Sequence, residues 1–432
     1  VRETFATRLG LLSTMIGVAV GLGNVWRFPY MVGRFGGAAF VLLYLFFALI
    51  IGVPALMAEW SLGRHTRRGS VGAFQRAGLP GGRVVGWVLF AGVSAATGYY
   101  CNAIGWVLYH GVAEAGHFSG STILPPEAGF SARAFFTQII MTGAVILGAV
   151  LILLRGVRKG IEGISRIFTP LLFVTLTVLI FRSLSLPGAG EGLEWFILKF
   201  RPEDITASVT MAALGQVVFS LALGGTFMVV YGSYLDEKED LGSTALLTVL
   251  GDTSAGLLAG LAIFPAVFAL GLEPGSGPGL IFQTLPQIFR SLPAGWVFGF
   301  LFFLSLGGVA FLSAVAAFEV LIAGLTDNTG LSRKKATYSM AGVVFLLALP
   351  PMVNMRVFLP WDLAFGSGLQ SGGVLLAVLA FGWFLDRQTG LRELGGKGSG
   401  ALHLWIRWVI PAAILAVGGW WFSTEVIPIL IG

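Results

Sequence analysis

Three oxygen-bearing side chains stand inside long apolar runs of this chain, where a polar group is costly to keep. They are Asn24 in IGVAVGLGNVWRFPY, Ser220 in SLALGGTF and Asp252 in VLGDTSAGLLAGLAIFP. Asn24 and Ser220 are neutral oxygen donors of the kind a small hard cation prefers. Asp252 is a carboxylate whose charge demands a cation nearby. Asn24 and Ser220 also sit at glycine-rich interruptions of their runs, and those interruptions carry chemistry of their own. A helix broken within lipid leaves N–H and C=O groups unsatisfied at a cost of several kcal/mol each, unless a partner completes them. The half-helix starting near Leu22 and Gly23 aims its N–H groups and positive dipole end at the first break, which suits a carboxylate. The opposing carbonyls suit an ammonium group or sodium. A zwitterionic amino acid together with a metal ion fits both ends. Tyr100, in TGYYCNAIGW, either donates its hydroxyl to a substrate carboxylate or is an interfacial or core tyrosine.

Other chemistries are poorly supplied. The single cysteine, Cys101, lies in an apolar segment, and the four histidines (His65, His110, His117, His403) lack ligand spacing, so all five read as structural. The glycine-rich GLGN lacks the strand context of a nucleotide site, and no glycine loop ends in Lys-Ser or Lys-Thr. No catalytic apparatus is expected.

The elements that position these groups follow from composition. Of 432 residues, 56% are hydrophobic and only 11% charged, and the mean hydropathy is +0.86. A water-soluble protein with a largely polar surface does not reach such values. Runs such as AAFVLLYLFFALIIGVPALMAEW are apolar all round and long enough to span as helices. Barrel strands would alternate instead. The chain therefore predicts an all-α integral membrane protein. Eleven segments are expected near 8–34, 38–62, 84–115, 134–154, 164–184, 207–234, 241–271, 295–325, 335–353, 363–385 and 403–430. The first reads as an uncleaved helix, since no small-residue cleavage site follows it.

The formal charge of +6 sits in short loops rather than in an aromatic-flanked patch, so it reads as topology, not nucleic-acid binding. Arg2 and Arg8, the cluster from Arg64 to Arg83, then Arg155, Arg158 and Lys159, and later Arg333 to Lys335 fall on one side, which the positive-inside rule makes cytoplasmic. The N-terminus is then inside and the C-terminus outside, with GLEPGSGPGLIFQTLPQIF forming a short external helix. The breaks in segments one and six lie five helices apart. Paired breaks predict an inverted 5+5 repeat, 8–184 and 207–385, with discontinuous helices 1 and 6, a site between them, and 403–430 as an extra helix. Glycines that merely allow close helix packing are the alternative.

These residues resemble the neurotransmitter:sodium symporter family, bacterial amino acid transporter branch. The likeness runs from ATRLGLLSTMIGVAVGLGNVWRFPY and GGAAFVLLYLFFALIIGVPALMAEWSLGR through RGVRKGIEG, GQVVFSLALGG and AGLAIFP to LSRKKA. The resemblance implies that the Leu22 and Gly23 amides and Tyr100 hold the substrate carboxylate, while carbonyls of Ala19, Phe219 and Ser220 receive its ammonium. It adds Val18, Ala96, Ala222, Gly225, Ser313 and Ala317 to the substrate contacts. Phe219 would close the pocket from outside. A first sodium would use Ala19, Asn24, Ser220 and the substrate carboxylate, with Asp252 supplying the charge that chloride-dependent members take from chloride; Tyr44 and Gln216 would be remnants of that chloride site. A second sodium would use Gly17, Val20, Val309 and Ser313, but Leu312 stands where a further side-chain oxygen is expected. Arg27 with Asp362 would form an external gate, an exposed pair worth about 0–1 kcal/mol. Arg2 with Asp327, beside Phe5 and Tyr234, would form the internal latch. Pro170, ending GIEGISRIFTP, marks either a site of helix unwinding or a proline kink.

Ala96, Gly225 and Ala317 stand where family members that take leucine carry larger apolar residues, and Ala222 replaces a serine. Smaller walls predict a bulky hydrophobic or aromatic L-amino acid, since filling apolar space stabilises by about 25 cal/mol per Å². Gly21 stands where monoamine carriers place an aspartate, so the substrate should bring its own carboxylate. The expected function is sodium-coupled, chloride-independent symport by alternating access in a plasma membrane. The alternatives are coupling to one sodium or to protons through Asp252, Glu59 or Glu319, and a channel or non-transporting amino acid sensor.

Overall fold

The computed structural model describes residues 15, 19–116, 123–155, 157–275, 277–290, 294–396 and 398–426, with the side chains of 155–166, 283, 425 and 426 left aside. Gly17, Val18, Arg2, Phe5 and Arg8 lie outside the described residues, and with them part of the second sodium set and half of the internal latch.

Among the described residues the secondary structure is helical. The membrane helices are α1 (22–35), α2 (Ala38–Thr66), α3 (Gly82–Ala115), α4 (Ala132–Arg155), α5 (Val157–Leu184), α6 (Ala207–Ser220), α7 (Phe227–Gly232), α8 (Leu241–Ala269), α9 (Gly295–Thr329), α10 (Arg333–Ala348), α11 (Met355–Phe384) and α12 (Ser399–Thr424). Eight helices are long and apolar enough to cross a bilayer alone. The remaining expected segments are α1, the α6–α7 pair and the 16-residue α10. Each of the eleven expected segments thus has its helix, and segments one and six are the discontinuous ones.

The first break has a definite geometry. Val20 and Gly21 leave the helical path, and the chain re-enters with Asn24 and Val25 N–H donating to the Gly21 carbonyl at 3.2 and 3.3 Å. Residues Gly23–Arg27 then form a wide π turn closed by Phe28 N–H on Gly23 O, a feature frequent at functional sites. Pro29, which has no N–H to donate, directly follows the closing residue of this π turn, and the regular helix runs on to Phe35.

The second break is a helix stop. Ala222 N–H donates to Phe219 O at 3.1 Å and Leu223 N–H to Val218 O at 3.0 Å. That pair of bonds is a Schellman closure, which needs a left-handed residue at its centre. Here the residue is Ala222, at φ +50, where glycine is usual. Gly224 (φ +134) and Gly225 (φ +71) carry the chain on to α7.

Packing then locks the inner half-helix α7 onto α2. A side chain at Gly63 would collide with the Val229 carbonyl, and one at Gly232 would come within 2.5 Å of the Trp60 carbonyl. Small residues let the two backbones touch. One turn along α2, the buried Glu59 accepts the N–H groups of both Gly224 and Gly225 at 2.9 Å. Elsewhere in the bundle, α9 packs on α3 and α5, α8 packs on α5 and α1, and α11 touches both α3 and α6. The expected external helix is present as Leu280–Arg290, and the preceding turn is tied to α1 by Trp26 Nε1 donating to Pro278 O at 2.8 Å. Helix α5 runs unbroken through Pro170, so no unwinding occurs there in this conformation.

Candidate substrate and ion site

Asp252 is fully buried in α8, where the two breaks converge. Its Oδ1 accepts from Asn24 Nδ2 at 2.7 Å, and its Oδ2 accepts from Ser220 Oγ at 2.7 Å and the Tyr44 hydroxyl at 3.2 Å. Asn24 Nδ2 also reaches Asp252 O at 2.8 Å and Ser220 Oγ at 3.1 Å. All three donors to the carboxylate are neutral. Hydrogen bonds hold its position, but they supply no opposite charge, so a buried carboxylate there retains affinity for a cation.

The orientation of Asn24 differs from expectation. Its Oδ1, expected to face an ion, accepts the Gly21 N–H at 3.0 Å, and its Nδ2 faces Asp252. A cation among these groups requires the amide to turn over, releasing Gly21 N–H. Tyr44 does bond Asp252, whereas Gln216 does not join it among the described contacts. Gln216 Nε2 donates to Gly23 O at 2.9 Å and its Oε1 accepts from Arg27 at 2.7 Å, so it ties the first break to the gate.

Beside Asp252 lies a cavity lined by Ala19, Gly23, Ala96, Tyr100, Phe219, Ser220, Ala222, Ser313 and Ala317, nine of the residues expected to touch substrate. Four more were not anticipated: Thr97, Tyr99, Phe227 and Gln370. Thr97 and Tyr99 stand beside Tyr100 in TGYYCNAIGW and Phe227 ends SLALGGTF, so those stretches carried a signal, whereas the local sequence around Gln370 gives none. Leu22 contributes its amide, which donates to the Tyr100 hydroxyl at 3.3 Å. A bound carboxylate would accept from both. Gly225 is not among the cavity walls. Its left-handed backbone points the side-chain direction at the Phe74 ring, 2.6 Å from the ideal Cβ, so the volume expected there is already filled. At Gly21 an ideal Cβ would stand 2.8 Å from the Tyr100 hydroxyl and 3.0 Å from Ser313 Oγ, which leaves no place for an aspartate.

Above the cavity, the gate is more elaborate than an exposed pair. Arg27 and Asp362 are 0% and 1% exposed, with Nε 3.2 Å from Oδ1. Arg27 also donates to Gln216 Oε1 and Ser367 Oγ, each at 2.7 Å, and its guanidinium lies 4.5 Å over the Phe219 ring. The Tyr30 hydroxyl donates to Asp362 Oδ2. Expectation of a weak surface pair is therefore corrected: the outer face is closed over it. Breaking one partner of a buried pair costs about 3–5 kcal/mol.

The other ion position is thinner. Leu312 is buried, and Ser313 Oγ reaches the Val309 carbonyl of its own helix at 3.5 Å, so two of the expected groups face each other. Val20 and Val309 are buried. On the cytoplasmic side by the positive-inside reading, Asp327 Oδ2 accepts the Gly69 N–H at 3.0 Å, and Tyr234 lies 6.3 Å from Tyr231. Glu319, weighed as a proton carrier, is instead held by Arg333 through two bonds of 3.0 and 2.5 Å.

Apolar helices enclosing a buried cavity, with two of them interrupted at its wall beside an intramembrane carboxylate, define a multi-pass transporter that works by alternating access. No catalytic activity is indicated. The chain belongs to the sodium:neurotransmitter symporter family, whose description matches residues 2–115 and 134–359. It is 32% identical over 439 residues to the uncharacterized sodium-dependent transporter YhdH of Bacillus subtilis, covering 96% of each chain. It is 27% identical to the sodium-dependent dopamine transporter of Bos taurus, covering 89% of this chain and 63% of that one. Among solved structures, MhsT in complex with L-phenylalanine matches with a TM-score of 0.88 and 33% identity, covering 97% of this chain and 100% of the other. Sodium-coupled symport follows from this membership.

Proposed function

We propose that the protein imports a hydrophobic, bulky or aromatic L-amino acid together with sodium and without chloride. The observation that carries the reading is Asp252, a buried carboxylate held by three neutral donors at the convergence of both breaks. It offers sodium a fixed negative charge, about 4 kcal/mol at 4 Å in an effective dielectric of 20, where chloride would otherwise be needed. Ala19, Asn24 and Ser220 complete the first ion position. Leu22, Gly23 and Tyr100 take the substrate carboxylate, and the apolar walls Ala96, Ala222 and Ala317 support a large side chain. The bound L-phenylalanine of the MhsT structure supports the same substrate class. Helices of 8–184 and 207–385 act as two inverted halves around this site, with 403–430 peripheral, in a plasma membrane with the N-terminus cytoplasmic and the C-terminus external.

A second reading, coupling to one sodium or to protons, is favoured by Leu312 alone. Uptake of radiolabelled amino acids into proteoliposomes separates sodium from proton coupling, using inward gradients of sodium, potassium or protons in chloride or gluconate. Accumulation driven by sodium equally in both anions is expected. Uptake indifferent to sodium would overturn the proposal, and a requirement for chloride would overturn the assignment of Asp252.

A further inference from the structure

Two cavity-lining side chains carry a buried polar atom without a hydrogen-bond partner among the described residues, Tyr99 beside the gate and Gln370 away from it. Gln370, on α11, lines the cavity and is 9% exposed. Its Oε1 is buried, and among the described residues it has no hydrogen-bond partner. A buried amide oxygen left unpaired is disfavoured by a full desolvation cost, and such groups in native proteins are met by a ligand or water. Of the cavity hydroxyls, Thr97 Oγ1 donates to Val93 O at 2.8 Å and Ser220 Oγ to Asp252 at 2.7 Å.

Chain direction locates this amide at one end of the cavity. Along α11, Gln370 comes eight residues after the gate residue Asp362, or about 12 Å of helix. Ala96 and Ala317 are one turn from Tyr100 and Ser313, and Phe227 follows the second break. Because successive spans run in opposite directions, all four lie on the side away from the gate. Backbone holds Gln370 there, since its Cα and Cβ press against Gly224, 3.2 Å from where a side chain would begin. An amino acid whose carboxylate rests on Leu22, Gly23 and Tyr100 directs its side chain into this apolar end, where Gln370 is an isolated acceptor.

We infer that Gln370 sets side-chain specificity, accepting a hydrogen bond from a substrate whose large apolar side chain carries an N–H or O–H, as an indole or phenol does. This rests on the amino acid reading given above and narrows it. A hydroxyl or N–H that pairs with a site's buried polar group is distinguished from an isostere lacking it far better than one methylene is from none.

Equilibrium binding to purified full-length protein in sodium tests the inference, with tryptophan against benzothienylalanine, its isostere without N–H, and tyrosine against phenylalanine. In the unaltered protein each donor-bearing ligand should bind about ten-fold tighter than its partner. In Gln370→Leu both ratios should fall to about one, while phenylalanine affinity is kept or improved, which also reports that the variant is folded. Should Gln370→Leu fail to fold, Gln370→Met takes its place with the same expectation. Ratios unchanged by the substitution, or close to one in the unaltered protein, overturn the role of Gln370. Failure of all four ligands to bind would instead overturn the amino acid reading itself.

Discussion

The two expected ion positions of this protein are built in opposite ways. At Asp252, side chains from four helices converge on one carboxylate: Asn24 of α1, Tyr44 of α2, Ser220 of α6 and Asp252 itself of α8. At the position on α9, Leu312 presents hydrocarbon and Ser313 turns to its own Val309 carbonyl. On the proposed reading the first holds a fixed charge before any ion arrives. The second must rely on backbone carbonyls and one hydroxyl, short of the roughly six oxygens a hard cation takes. On the proposed reading the two positions have unequal roles, ion affinity being concentrated where the substrate carboxylate is placed.

Three substitutions bear on that contrast, the largest effect first. Asp252→Asn removes the fixed charge, and an attraction of about 4 kcal/mol corresponds to a loss of about a thousand-fold in sodium affinity. Sodium titration of uptake measures it, and added chloride should restore part of the loss. A titration within a factor of three of the unaltered protein would place the ion elsewhere. Leu312→Thr supplies the missing oxygen on α9 and should lower the half-saturating sodium concentration by about ten-fold, the worth of one hydrogen-bond-scale interaction. An unchanged titration would show that the second position is not limited by this side chain. The smallest effect is expected at the break itself. Ala222→Gly removes a left-handed alanine and should raise the thermal stability of detergent-solubilised protein by about 1 kcal/mol, whereas a fall would mean that the methyl group is a needed wall of the cavity.

The same contrast explains what could be read from sequence. Asn24, Ser220 and Asp252 were legible because polar groups inside apolar runs are rare enough to need a reason, and the glycine runs marked both breaks. Membrane helices were legible from length and hydropathy. Tyr30, Ser367 and Gln370 were not: the partners of Tyr30 and Ser367 come from distant segments, and Gln370 is an ordinary helix residue that lines the cavity only in the folded chain. Nor was burial of the Arg27–Asp362 pair, because exposure of a gate depends on which face is closed. Gly225 misled for a local reason: residue type gave the size of its side chain, but the positive φ decided which way the missing side chain would have pointed.

The contact of Gly63 and Gly232 with opposing backbone has a mechanical consequence. Helices pressed together without intervening side chains cannot slide without collision, and Glu59 adds a second attachment at the Gly224 and Gly225 amides. The second half of the sixth segment is therefore fastened to the second helix at two points. Leu223 N–H is tied back to Val218 O and Gly224 N–H forward to Glu59, so the change from one attachment to the other falls at the Leu223–Gly224 link, beside the cavity wall at Ala222.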